Sequence, residues 1–419
     1  MKTLLIQKAT VVDPQSSHHL QTCDILIENG KISQMGELSG QTADKVLSWE
    51  QCHVSPGWFD PFVSIGSPGY EERETLENGI RTALQSGYTG IGLQPVSDPI
   101  IDHRAALSHL VQTTKDLPLD VFPLGALSQG QKGEQLAALY EMFEEGAVGF
   151  TDVKRAISNP NLLKIALQYS RNFKGLVCSH PQDGQLAKNG VMHEGKTSTL
   201  LGLAGIPTVA ETTQVARDIA LLEYTQGKLH IPFVSSAATL ELIRGAKKKG
   251  LDISCSVGLP HLWFCDEDLQ EFDTNFKLFP PLRSAKDREA LREGLVSGVI
   301  DSVSAMHEPM NIEHKAVEFE HAFGGSIGLE ASFGILMQLF PLQESIQFLS
   351  RGRRIFGIES PSIKVGQQAN MTFFNPEVTW TLTAKDLIST SKNCAFIGQS
   401  LRGKVYATYH RNTLTTRVQ

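Results

Sequence analysis

The stretch Ser55-Pro56-Gly57-Trp58-Phe59-Asp60-Pro61-Phe62-Val63-Ser64-Ile65 decides how the rest of the chain is read. Its second part, Trp58–Ile65, is a short, almost continuously apolar run, the pattern of a strand buried on both faces. Seven more such runs follow: Thr89–Pro95, Asp120–Leu127, Ala147–Asp152, Gly175–His180, Lys228–Ser235, Asp252–Leu259 and Val299–Ala305. Segments with apolar residues at helical spacing separate them, as in Leu136, Leu139, Tyr140 and Phe143, or Ile219, Leu221, Leu222 and Tyr224. Eight strands alternating with helices predict an α/β fold, a closed (β/α)8 barrel over residues 55–362.

Outside those limits the pattern changes. Residues 1–54 carry short alternating runs such as Leu4-Leu5-Ile6 and Asp24-Ile25-Leu26-Ile27, broken at Glu28-Asn29-Gly30. Residues 363–419 continue in kind, with Ala369 to Phe374 and Gly403 to Ala407. The two ends are expected to pair into one small β-sandwich domain. The 419 residues suit a barrel with such a companion.

Composition excludes several functions. A formal net charge of -7 without a basic stripe argues against a nucleic-acid partner. No apolar run approaches the roughly 20 residues that span a bilayer, and the opening Met1-Lys2-Thr3-Leu4-Leu5-Ile6 reads as a strand, so the expected location is the cytoplasm. Cys23, Cys52, Cys178, Cys255, Cys265 and Cys394 are scattered, as core thiols are. The acidic Glu71-Glu72-Glu74 and basic Lys247-Lys248-Lys249 read as solvated surface.

Chemistry in a barrel sits where strands end. A hydrolytic metal site there would gather His and carboxylate ligands from several strands. His180, closing the fifth strand, is the one convincing candidate, with Asp60, Asp152 and His307 as weaker ones. His230 is expected to face away from Phe233 by side-chain alternation and to bond backbone. No nucleophile elbow and no phosphate-binding glycine loop is present in the sequence.

Several segments jointly resemble the dihydroorotase family, of the type found with aspartate carbamoyltransferase. They are Ser55 to Asp60; Ser67-Pro68-Gly69 through Glu74-Thr75; Gly202 to Pro207 with Ala210-Glu211; Phe272 to Lys277 with Pro280-Pro281-Leu282-Arg283; Gly328-Leu329-Glu330; Ser391-Lys392-Asn393; and Gly403-Lys404-Val405. The resemblance implies the amidohydrolase form of the barrel and a role in pyrimidine biosynthesis.

It also implies which positions should work, and most are replaced. The family's first-strand His-x-His metal pair falls on Phe62 and Ser64, and the substrate-gripping Arg on Gly66. The substrate Asn positions fall on Val96 and Phe279, and the acidic or carbamylated-lysine ligand on Val153, or on Asp152 one residue earlier. The sixth-strand His is Phe233, the catalytic Asp is Met306, and His180 alone is retained. A thioether can neither bind the ion nor shuttle a proton.

The expectation is therefore a catalytically silent pseudoenzyme without cofactor, homodimeric, with a structural or regulatory role beside aspartate carbamoyltransferase. The alternative is an active cyclic-amide hydrolase of dihydroorotase, hydantoinase or allantoinase type, using a single zinc or manganese ion or none. A third reading gives Phe62, Val96, Phe233, Phe279 and Met306 to an apolar ligand pocket, against the simpler one that they form collapsed core.

Overall fold

The computed structural model describes residues 2–269 and 271–417. Eight parallel strands follow one another around a barrel: Trp58–Val63, Tyr88–Leu93, Asp120–Gly125, Gly149–Thr151, Val177–Cys178, Leu229–Ile231, Ile253–Gly258 and Ser302–Ser304. Each falls inside an expected run, Tyr88 alone lying one residue before it, although several are shorter than expected; the runs are contiguous because both faces of a barrel strand are covered. The first and last strands meet through Asp60. Its carboxylate accepts from Ser304 Oγ at 2.7 Å and Ala305 N at 2.6 Å, while Ser64 N donates to His307 O at 2.9 Å.

Helix starts follow local chemistry. Thr75 caps Leu76–Gln85 by accepting from Asn78 N, and Asn159 precedes Pro160, the first residue of Pro160–Arg171. The expected faces are partly wrong: Tyr140 is exposed in helix Leu139–Glu144, and a second helix departs further. In Thr208–Thr225, Leu222 is buried but Tyr224 is 71% exposed, and the buried side also holds Gln214 and Asp218. Asp218 is tolerated there because Ser179 Oγ, Gln214 and Arg217 donate to it.

The ends of the chain build a second eight-stranded sheet, with strands Thr3–Val11, Thr22–Glu28, Lys31–Gly36, Lys45–Ser48 and His53–Pro56 from one end and Met371–Thr381, Ser400–His410 and Thr413–Thr416 from the other. Met371–Thr381 runs antiparallel to His53–Pro56, which joins the two ends. Its own core includes Ile6, Val11, Ile25, Val54, Phe373 and Tyr409. Phe374 packs the sheet onto the barrel against Trp58 (5.8 Å between centroids) and Phe333 (4.9 Å). All six cysteines are buried and unpaired. Among the described residues no helix is long and apolar enough to cross a membrane.

Candidate functional site

At the C-terminal ends of the strands, the barrel interior holds an apolar cluster. Phe62, Phe233 and Met306 are 2%, 8% and 7% exposed and cluster with Leu124, Leu176, Cys178 and Ile355. Phe62 meets Phe233 edge to face at 5.6 Å. Met306 lies so close over Gly258 that a Cβ there would fall 2.0 Å from its sulfur. About 20 Å³ of open space remains there, bordered by Phe62, Phe233, Phe279 and Met306 on the apolar side and by Lys154, His307 and Glu308 on the polar one. That is room for about one water, against the roughly 300 Å³ or more of a ligand site.

The backbone at three of these strand ends is unusual. Val153, Phe233 and Met306 have φ of 57°, 56° and 52°, a left-handed region that non-glycine residues rarely adopt and that a β-branched Val resists most. Phe233 and Met306 are positions to which the resemblance assigns a ligand and the catalytic Asp, and Val153 is one of the two, with Asp152, to which it assigns the fourth-strand ligand. Such strain is characteristic of functional sites, and here it persists with apolar side chains in place. It also corrects the alternation argument. The strand ends at Ile231, and the turn at Phe233 brings its ring to the same side as His230, so that Phe62 touches both, stacking on His230 at 5.1 Å. His230 bonds Ser254 Oγ (2.8 Å) and Ser256 Oγ (3.1 Å), not backbone.

The candidate ligands are dispersed into different roles. Asp60 holds the barrel closure, and Phe62 N also donates to it at 3.0 Å. Asp152 accepts from Leu127 N and Ser128 N, both at 2.9 Å, and from Ser128 Oγ at 2.5 Å. Burial raises the pKa of both carboxyls. His180 and His307 are different: both are buried, and no ring nitrogen of either has a hydrogen-bond partner. Burial pushes their pKa values down to about 3 and about 4, with Lys154 adding to the effect at His180.

A divalent ion does not fit this donor set. Two histidines keep free nitrogens, but the carboxylates are committed to backbone and hydroxyl donors. Among the described residues no group of three or more His, Cys, Asp or Glu is placed to hold a metal. The positions that the resemblance gives to substrate binding lie nearby. Gly66 sits in a tight turn where Tyr70 N donates to its carbonyl at 2.6 Å, and any Cβ there would meet Tyr70 O at 2.2 Å. An Arg at that position would require a different loop. Val96 is half-buried, and Phe279 packs on Ala187, Ile206 and Ala210.

Sequence reasoning missed the pair that crosses the barrel mouth. Lys154 follows Val153 and Glu308 follows His307; they form an ion pair, and Lys154 Nζ also donates to Gly324 O at 2.6 Å. Nothing in either residue's neighbours along the chain signals the other. Glu74, read above as surface, is in fact fully buried. It accepts from Ser389 Oγ and from Thr390 N (3.1 Å) and Thr390 Oγ1 (2.9 Å), and Glu330 accepts from Ile388 N and Ser389 N.

These anchors give the family segments a structural role of their own. Glu74, Glu330 and Asn393 hold the 387–393 loop to the barrel, with Asn393 bonding Met310 N, Glu308 O and Gly325 O. Glu211 and Arg283 form a buried ion pair, and Glu211 also accepts from Ser235 N and Ser236 N. Removing one partner of such a pair leaves an uncompensated charge, so these motifs are tied to folding.

The Dihydro-orotase-like family profile matches residues 53–239. The dihydroorotase of Pelotomaculum thermopropionicum is 37% identical over 412 residues, covering 97% of this chain and 96% of that protein. The dihydroorotase of Pelobacter propionicus is 36% identical over 415 residues, covering 97% of each. Among solved structures, the L-hydantoinase (dihydropyrimidinase) of Arthrobacter aurescens superposes with a TM-score of 0.85 at 21% identity, covering 99% of this chain and 96% of that one. The D-hydantoinase (dihydropyrimidinase) of a Thermus species gives 0.81 at 19% identity, covering 99% and 95%. At those identities the structures establish the barrel architecture, while the full-length relatives establish the kinship. With its eight-stranded barrel, its terminal sheet and the buried anchors of its shared motifs, the chain belongs to the dihydroorotase family of amidohydrolases.

Proposed function

We propose that this protein is a catalytically silent member of its family whose role is structural or regulatory. The observation that supports this reading is the filling of the barrel mouth: Phe62, Phe233 and Met306 pack against one another where the family places two metal ligands and its proton-shuttling Asp. The remaining 20 Å³ admits neither a six-membered ring nor a hydrated ion. With Gly66 and Val96 in place of Arg and Asn, a substrate carboxylate would find no charge-assisted partner.

The partner that the kinship suggests is aspartate carbamoyltransferase, with this barrel acting as a clamp or spacer in a shared assembly, itself a homodimer in the cytoplasm. Affinity purification of this chain from its native cell should then recover that enzyme, and deletion of the chain should lower that enzyme's activity or alter its assembly size. Recovery of this chain alone, with the enzyme unaffected by deletion, would defeat the proposal.

One observation favours a second reading. The free ring nitrogens of His180 and His307 are what a residual single-ion site would use, and burial keeps both neutral, as ligation requires. On that reading the chain hydrolyses a cyclic amide with zinc or manganese supplied. Rates equal to buffer for dihydroorotate, hydantoins and allantoin would remove it.

A further inference from the structure

A recess of about 350 Å³ lies at the junction of barrel and terminal sheet, away from the barrel mouth. One wall is helix Leu76–Gln85, which supplies Arg81; another is the loop carrying Lys385 and Asp386; the floor carries Lys404 from strand Ser400–His410 and Arg417. Four cations thus face one small space in a protein whose net charge is -7. The single acid, Asp386, already accepts from Thr383 N (2.9 Å) and Thr383 Oγ1 (2.6 Å).

Their compensation is partial: Asp386 acts through space on Lys404 and Arg417, and Glu330 on Arg417. Among the described residues, none of Arg81, Lys385, Lys404 and Arg417 has a carboxylate within ion-pair distance, whereas exposed Arg402 on the same strand pairs with Glu377 at 3.0 Å. Lys404 and Arg417 are instead held over the ring of Trp380, at 5.5 and 5.2 Å from its centroid. Stacking on a ring fixes the cations without consuming their charge or most of their N–H donors. Burial lowers the pKa of Arg417, outweighing the opposite pull of Glu330 and Asp386. Like charges converging on a concave surface raise the local concentration of a counter-ion.

We propose that this recess binds a small polyvalent anion bearing a di- or triphosphate group, either as free pyrophosphate or attached to a nucleoside. It is too small and isolated for a nucleic-acid backbone, which needs a stripe of charge. Its loop wall continues into Ser389 and Thr390, which hold Glu74, so an occupant would brace the segment that ties the C-terminal part of the chain to the barrel.

Trp380 provides the readout. Titration of the full chain with pyrophosphate, and separately with ADP, should change tryptophan fluorescence in a saturable way, confirmed by calorimetry. Lys404→Ala and Arg417→Ala should each weaken binding about tenfold, the loss expected for one charge-assisted contact. Arg402→Ala, on the same strand but paired elsewhere, should leave it unchanged. Tighter binding of ADP than pyrophosphate would identify a nucleotide site, and the reverse a site for the inorganic anion. No saturable heat or fluorescence change with either anion, or equal weakening by Arg402→Ala, would overturn the proposal.

Discussion

Replacing Phe62 with Ala separates a filled core from an emptied pocket. The ring is buried to 2% and touches Phe233, Phe356 and His230. Returning it to water costs about 2–3 kcal/mol. The void of roughly 100 Å³ left behind adds about 2 kcal/mol at ~24 cal/mol per Å³. The lost aromatic contacts lie within that total, so a destabilisation of about 4 kcal/mol is expected, inside the about 3–5 kcal/mol range of core Phe→Ala changes. Urea unfolding followed by near-ultraviolet circular dichroism and by tryptophan fluorescence gives the value, provided the two transitions coincide despite the two cores. A residue kept for ligand contact would behave differently, because functional sites are under-optimised for stability. A loss below about 1 kcal/mol, typical of positions outside the packed core, would refute the claim that the former site has become core.

Other consequences follow from the same geometry. Val153→Gly should raise stability by about 1 kcal/mol, since relief of the left-handed strain outweighs the added chain entropy of glycine; thermal denaturation would show it. Asp60→Ala should cost about 3 kcal/mol and open the seam between the first and last strands, read out as loss of amide protection at Ser64 and Ala305 by hydrogen exchange. On acidification His180 and His307, with folded values of about 3 and about 4, stay neutral while the unfolded chain takes up protons from about pH 6.5. Stability is therefore intact above about pH 6.5 and lost as pH falls toward about 4, by about 1.4 kcal/mol per pH unit for each histidine. His180→Leu should remove one such contribution from the slope of unfolding free energy against pH; an unchanged slope would show that its ring is not held neutral.

The barrel was legible because strands covered on both faces leave uninterrupted apolar runs such as Trp58–Ile65, and because Gly and polar caps mark the helices between them. The reading of the site as replaced rests on motif positions: Phe62, Phe233 and Met306 look like ordinary core residues, and it is the family pattern around them that gives them meaning. What stayed hidden depended on contacts between distant residues or on local backbone geometry. The left-handed turn at Phe233 cannot be read from Pro232 and Val234, yet it decides which way the ring points and joins it to His230. Glu74 lay in an acidic run that resembles surface, while its partners Ser389 and Thr390 lie more than 300 residues away. Separation along the chain also hid the pairing of Lys154 with Glu308 across the barrel mouth.

The most direct test is the metal content of protein purified without chelators, measured by elemental analysis together with dihydroorotate hydrolysis in the presence of zinc and of manganese. The packing of Phe62, Phe233 and Met306 predicts far less than one ion per chain and no turnover above buffer. Stoichiometric metal, or hydrolysis that His180→Ala abolishes, would contradict it and show that the two unpartnered histidines still hold a working ion.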